Sequence, residues 1–146
     1  PPNDVQRPAG GSAMTELIRQ AESNPRAAYD LGLRYYRGDG VEQNSYKAIV
    51  WMRKAAERGN LNAQKALGGF YLYGLEEMGS DPKEAEKWLQ LAIAQGDAES
   101  AKLLKEARSG KEKDQRDFEK RRAAYNERWV RSYPYSGHWG NGAWSW

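Results

Sequence analysis

Ala27-Ala28-Tyr29-Asp30-Leu31-Gly32-Leu33-Arg34-Tyr35-Tyr36-Arg37-Gly38 and Ala63-Gln64-Lys65-Ala66-Leu67-Gly68-Gly69-Phe70-Tyr71-Leu72-Tyr73-Gly74 share one framework. Both read Ala-x3-Leu-Gly-x2-Tyr-x2-Gly, and the second lies 36 residues after the first. Downstream, Lys47-Ala48-x2-Trp51-x3-Ala55 matches Glu84-Ala85-x2-Trp88-x3-Ala92. The offset there is 37, because the second loop, Leu75 to Ser80, is one residue longer. Gly59 and Gly96 close the two units. Self-similarity at a fixed period is the signature of a repeat architecture.

Each unit reads as two helices. Ala28, Leu31 and Tyr35 fall on one face of the first, and Ala48, Trp51 and Ala55 on one face of the second. Asn24-Pro25 and Asp81-Pro82 place a capping side chain before a proline at the first helical position. Gly38, Gly59, Gly74 and Gly96 mark the stops, where a left-handed residue is expected. Gly32 and Gly68 sit inside helices, at a cost of about 1 kcal/mol each against alanine. A cost repeated at one site predicts close approach of a facing helix, with Ala27, Ala55, Ala63 and Ala92 in the same contact and Trp51 and Trp88 filling the remaining space.

With this spacing the chain resembles the Sel1-like repeat, a relative of the tetratricopeptide repeat. Residues 26–61 give one unit, including Gly38-Asp39-Gly40-Val41 at the family's Gly-x-Gly-Val turn. Residues 62–98 give a second, which departs at that turn with Gly74-Leu75-Glu76-Glu77. The resemblance implies an all-α solenoid of antiparallel helix pairs and a non-catalytic interaction scaffold. One branch similar to this family is cysteine-rich and linked to penicillin-like ligands. A chain without cysteine cannot follow it.

Outside the two units lie partial ones. Residues 1–12 read as a disordered arm, rich in Pro and Gly. Residues 13–25 resemble a lone second helix, and 98–110 a polar capping unit with Ala101 and Leu104 on one face. About seven helices are expected in all. Residues 111–131 form a charged amphipathic helix whose stripe is Phe118, Tyr125 and Trp129, interrupted by Arg121 and Arg122. This helix either caps the last repeat or faces a partner.

Residues 132–146 form a Gly-rich aromatic tail with Trp139, Trp144 and Trp146. Left free, it exposes costly apolar surface. Three alternatives are open: it fills a groove of the repeats, anchors on a twin or another protein, or stacks on sugar rings. The polar ends of the repeats suggest that folding does not need residues 133–146.

Composition removes many activities. The chain has 146 residues, no cysteine and one histidine, His138, so thiolate chemistry and multi-imidazole metal sites are excluded. The length suits one domain. No stretch of ~18 apolar residues spans a bilayer. Residues 1–110 carry 15 basic and 15 acidic side chains, and 111–146 carry 8 and 5. That is too diffuse for a nucleic-acid stripe. No phosphate loop, dinucleotide fingerprint or nucleophile–base set is present, so no cofactor and no catalytic residue are expected. Glu76-Glu77 with Asp81 read as a solvated loop.

The expected site is an interaction surface. Tyr29, Leu33, Tyr36, Arg37, Lys65, Leu72 and Tyr73 would line a concave face built from the first helices. Trp129, Tyr133, Tyr135, His138, Trp139, Trp144 and Trp146 would add an aromatic surface from the C-terminal region. The expected partner is a protein, with self-association through the tail and a cell-envelope glycan as alternatives. Bacterial proteins similar to this family sit in the periplasm or on lipid anchors, which implies an envelope location, with the cytoplasm as alternative. The start at Pro1-Pro2 suits a trimmed lipoprotein or a cloned fragment.

Overall fold

The computed structural model describes residues 9–75, 78–109 and 115–146. Seven helices occupy them: α1 (Ala9–Ala21), α2 (Pro25–Arg37), α3 (Ser45–Glu57), α4 (Leu61–Tyr73), α5 (Pro82–Ala94), α6 (Ala98–Ser109) and α7 (Gln115–Arg131). Two short strands, β1 (His138–Gly140) and β2 (Ala143–Ser145), complete them. The fold is an all-α array of the solenoid class with one small hairpin. It divides into two compact units. The first is the chain through Asn60 together with Pro134–Trp146, and the second is Leu61–Tyr133.

Each unit is built on one helix pair, α2–α3 or α4–α5, and the caps form as the sequence dictates. The Asn24 side chain accepts from Arg26 N–H at 2.9 Å, and Asp81 from Glu84 N–H at 3.2 Å. Gly38 ends α2 with φ 75°, left-handed, and donates its N–H to Arg34 O at 2.7 Å. The interior glycines sit where helices meet. A Cβ on Gly32 would lie 3.0 Å from Met52 Cγ and 3.1 Å from Ala48 O. One on Gly68 would lie 2.4 Å from Leu89 Cδ2. Met52 and Leu89, each one residue past the repeated tryptophan, are therefore the knobs over these glycines. Trp88 is buried, whereas Trp51 is half-exposed beside Lys54 at 4.9 Å.

The ends differ in part from expectation. Helix α1 already runs from Ala9, so residues 9–12 are helical and not an arm; residues 1–8 lie outside the described residues. Its apolar face, Ala13, Met14, Leu17 and Ala21, is buried, and α1 packs on α2. Helix α6 packs on α5 with Leu104 buried and Ala101 exposed. Residues 110–114 and Glu76-Glu77 lie outside the described residues.

The tail is not a structureless run. β1 and β2 pair antiparallel, with Trp139 opposite Trp144 and Gly140 opposite Ala143. The connection is Asn141-Gly142, with φ 55° and 77°. Positive φ at both central residues suits the tight hairpin turn for which Asn-Gly is the preferred pair.

Candidate functional site

In each unit the first helix of the pair turns one row of side chains away from its partner helix. On α2 that row is Tyr29, Asp30, Leu33, Arg34 and Arg37. On α4 the positions 36 residues later are Lys65, Ala66, Gly69, Phe70 and Tyr73. The shared framework leaves these positions free to differ, and they do.

In the first unit, Asp30 is fully buried. Its Oδ1 accepts from Ser136 N–H and its Oδ2 from Gly137 N–H, both at 2.7 Å. Burial pushes this carboxyl up, against the two N–H donors and the Arg34 charge that favour the ionised form. Tyr29 donates its hydroxyl to Pro134 O at 3.4 Å. The Tyr135 ring lies 4.1 Å from the Arg34 guanidinium and 4.9 Å from that of Arg37. Its hydroxyl donates to Asp39 Oδ2 at 2.8 Å, and burial with that carboxylate pushes it up to about 12. Further along, Trp144 Nε1 donates to Ala13 O and Trp146 Nε1 to Gln20 Oε1, both at 2.9 Å.

In the second unit the occupant is α7. Its Phe118–Tyr125–Trp129 stripe meets Phe70 and Tyr73 of α4, with ring centroids 5.5–5.9 Å apart. Gly69 makes this possible: a Cβ there would stand 1.8 Å from Tyr125 Cζ. The ring instead lies against the helix backbone, and its hydroxyl donates to Lys65 O at 2.7 Å. Tyr133 stacks on Trp129 at 3.7 Å. Lys65 Nζ sits 3.2 Å from Asp97 and 3.4 Å from Glu99, and Glu99 also pairs with Arg128 and accepts from Tyr133. Burial alone would raise both carboxyls, but Ser100 and Lys65 hold Asp97 down, and Tyr133, Arg128 and Lys65 hold Glu99 down.

The model of the Sel1 repeat matches residues 25–60 and 61–97, half of the chain. The chain belongs to the Sel1 repeat family. These Sel1 repeats coincide with α2–α3 and α4–α5 within a residue or two of the sequence boundaries. A solved Sel1 repeat protein from Oxalobacter formigenes is 35% identical, with a TM-score of 0.60, over 64% of this chain and 27% of that one. A protective antigen of uropathogenic Escherichia coli strains, displaying an SLR fold, is 39% identical with a TM-score of 0.58. The match covers 62% of this chain and 20% of that one. The chain thus spans about a quarter of these relatives' length. No curated protein is significantly similar to it.

The Sel1 frame allows each expected site residue to be placed. Tyr29, Leu33, Tyr36, Leu72, Tyr73, Trp129 and Trp144 are buried, not open to a partner, because the chain's own elements cover them. Arg37, Lys65, Tyr133, Tyr135, Trp139 and Trp146 are half-buried, and His138 is exposed. Tyr29, Arg37 and Tyr135 come together in the first unit. Lys65, Tyr73, Trp129 and Tyr133 come together in the second. Of the three alternatives for the tail, the structure shows the intramolecular one, with residues 134–146 packed on α1 and α2. For α7 it shows the cap. Sequence reasoning missed Asp30 and Gly69, both inside strongly patterned helical stretches. It also missed the hairpin, although Asn141-Gly142 between aromatic positions is a local signal for one. Among the described residues no group of three or more His, Asp or Glu is placed to hold a metal ion, and no helix is long and apolar enough to cross a membrane.

Proposed function

We propose that this Sel1 repeat chain is a non-catalytic protein-interaction scaffold of the bacterial cell envelope. One observation carries the reading. The outward row of each first helix holds a later segment of the same chain, a backbone turn on Asp30 in one unit and an aromatic helix face on Gly69 in the other. Faces built to hold chain segments are the working parts of an interaction fold. The description of the Escherichia coli relative as a protective antigen supports an envelope location. Glycan stacking needs open ring faces, whereas Trp144 is buried and Trp146 stacks on it at 5.8 Å.

Surfaces left for a partner include Tyr46 on α3, 78% exposed, and Leu91 on α5, 42% exposed. A photo-crosslinking residue at either position, in cells of the source bacterium, tests the reading. Discrete adducts with another protein in the envelope fraction are expected. A chain confined to the cytoplasmic fraction would remove the envelope assignment, and an absence of adducts from both positions would remove the scaffold.

A further inference from the structure

The first repeat grips the C-terminal segment as a receptor grips a peptide. A buried carboxylate that takes one N–H per oxygen from consecutive residues, Ser136 and Gly137, reads backbone geometry. Side-chain pockets then read what flanks that turn. Arg34 and Arg37 enclose the Tyr135 ring, Asp39 takes its hydroxyl, and Ala13 O and Gln20 take two indole N–H groups. Gly137 is required, because a Cβ there would lie 2.4 Å from the Trp146 ring. The segment also carries its own hairpin, so it keeps its shape as one piece. All the gripping groups named lie between Ala13 and Asp39. The segment follows the whole of the second unit, Leu61–Tyr133, in the chain.

We propose that the Asp30 site is a peptide-binding site for this Pro-Tyr-Ser-Gly turn and its tryptophan hairpin, and that it accepts the segment from a second copy of the chain. A second copy is the partner that carries every one of these complementary groups. A reciprocal exchange remakes all of them and closes as a two-fold pair, with no surface left to propagate. Because site and segment belong to one chain, joined through the second unit, the internal contact is intramolecular and is favoured in dilute solution. Crowding the chain, or loosening either half of the contact, releases the site for exchange. The inference rests on the protein-interaction reading and gives the first repeat a partner.

Two full-length variants test it, each defective in one half. Asp30→Asn keeps the side-chain volume but turns an NH2 donor toward a backbone N–H, which disables the site and leaves the segment intact. Gly137→Ala disables the segment and leaves the site intact. Each alone is expected to run as a monomer by size exclusion with light scattering. Mixed, the intact segment of one fits the intact site of the other, and the mass is expected to double from 16.6 kDa as a one-to-one pair. Tyr135→Ala, which removes the ring between the two arginines, replaces Gly137→Ala if that variant loses its helical circular dichroism. A mixture that stays monomeric, with helical signal intact in both partners, overturns the proposal. So does loss of helical signal in Asp30→Asn, or in both segment variants, because the segment would then be part of the core and not a ligand. Neither result alters the cross-linking test above, which reads adducts with other proteins.

Discussion

The two Sel1 repeats carry the same inward framework and opposite outward chemistry. Leu31 and Leu67 are buried alike, and Gly32 and Gly68 receive Met52 and Leu89 alike. Outward, Tyr29, Asp30, Leu33, Arg34 and Arg37 correspond in sequence to Lys65, Ala66, Gly69, Phe70 and Tyr73. A carboxylate in the first row selects backbone N–H groups, and paired arginines select an aromatic ring. A glycine gap in the second row, flanked by rings, selects a tyrosine from a helix. The repeat motif fixes the helix pair, while five outward positions choose what covers it.

Trp129→Ala separates the two units most strongly. Trp129 is fully buried among Phe70, Tyr125 and Tyr133, and truncation there costs about 3–5 kcal/mol. Amide exchange is expected to lose protection at Phe70 and Tyr125 while Leu31 and Trp144 keep theirs; equal loss in both units would erase the distinction between them. Gly69→Ala follows. The added Cβ displaces Tyr125, breaks its bond to Lys65 O, and costs ~2 kcal/mol after the gain in helix propensity. Thermal melting of the variant checks this, and an unchanged melting temperature would show that Tyr125 does not need the gap.

Acid sharpens the same contrast with a smaller effect. Asp97 and Glu99 are held below their ordinary range, so their stabilisation is present above the unfolded values and lost as pH falls through the folded ones. Asp30 is raised, so its contribution has the opposite sign, present below the unfolded value and lost as pH rises through the folded one. From neutral pH down through the carboxylate range, protection at Ser100, whose N–H donates to Asp97, is expected to fall. Exchange rates corrected for their intrinsic pH dependence measure it, and unchanged protection at Ser100 would contradict the lowered carboxyls. The smallest effect belongs to His138→Ala. The side chain is exposed on β1, and chemical denaturation is expected to change by less than about 0.5 kcal/mol.

By itself the sequence determined the helix pairs, their starts at Asn24-Pro25 and Asp81-Pro82, their glycine stops, and the stripe on α7. Those are local signals, carried by residues within a few turns of one another, and the structure repeats them nearly position for position. The hairpin turn at Asn141-Gly142 belongs to the same class, since both residues take the positive φ that this pair tolerates. Tertiary structure alone decided what lies on each outward row. Asp30 carries no local signal of its role, which appears only where Ser136 and Gly137, more than a hundred positions away, bring their N–H groups to it. Gly69 reads as a weak point in a helix until Tyr125 fills the space its missing Cβ leaves. Periodicity reports which way a side chain faces, but the partner it meets depends on chain closure over long separations, and no local pattern encodes that.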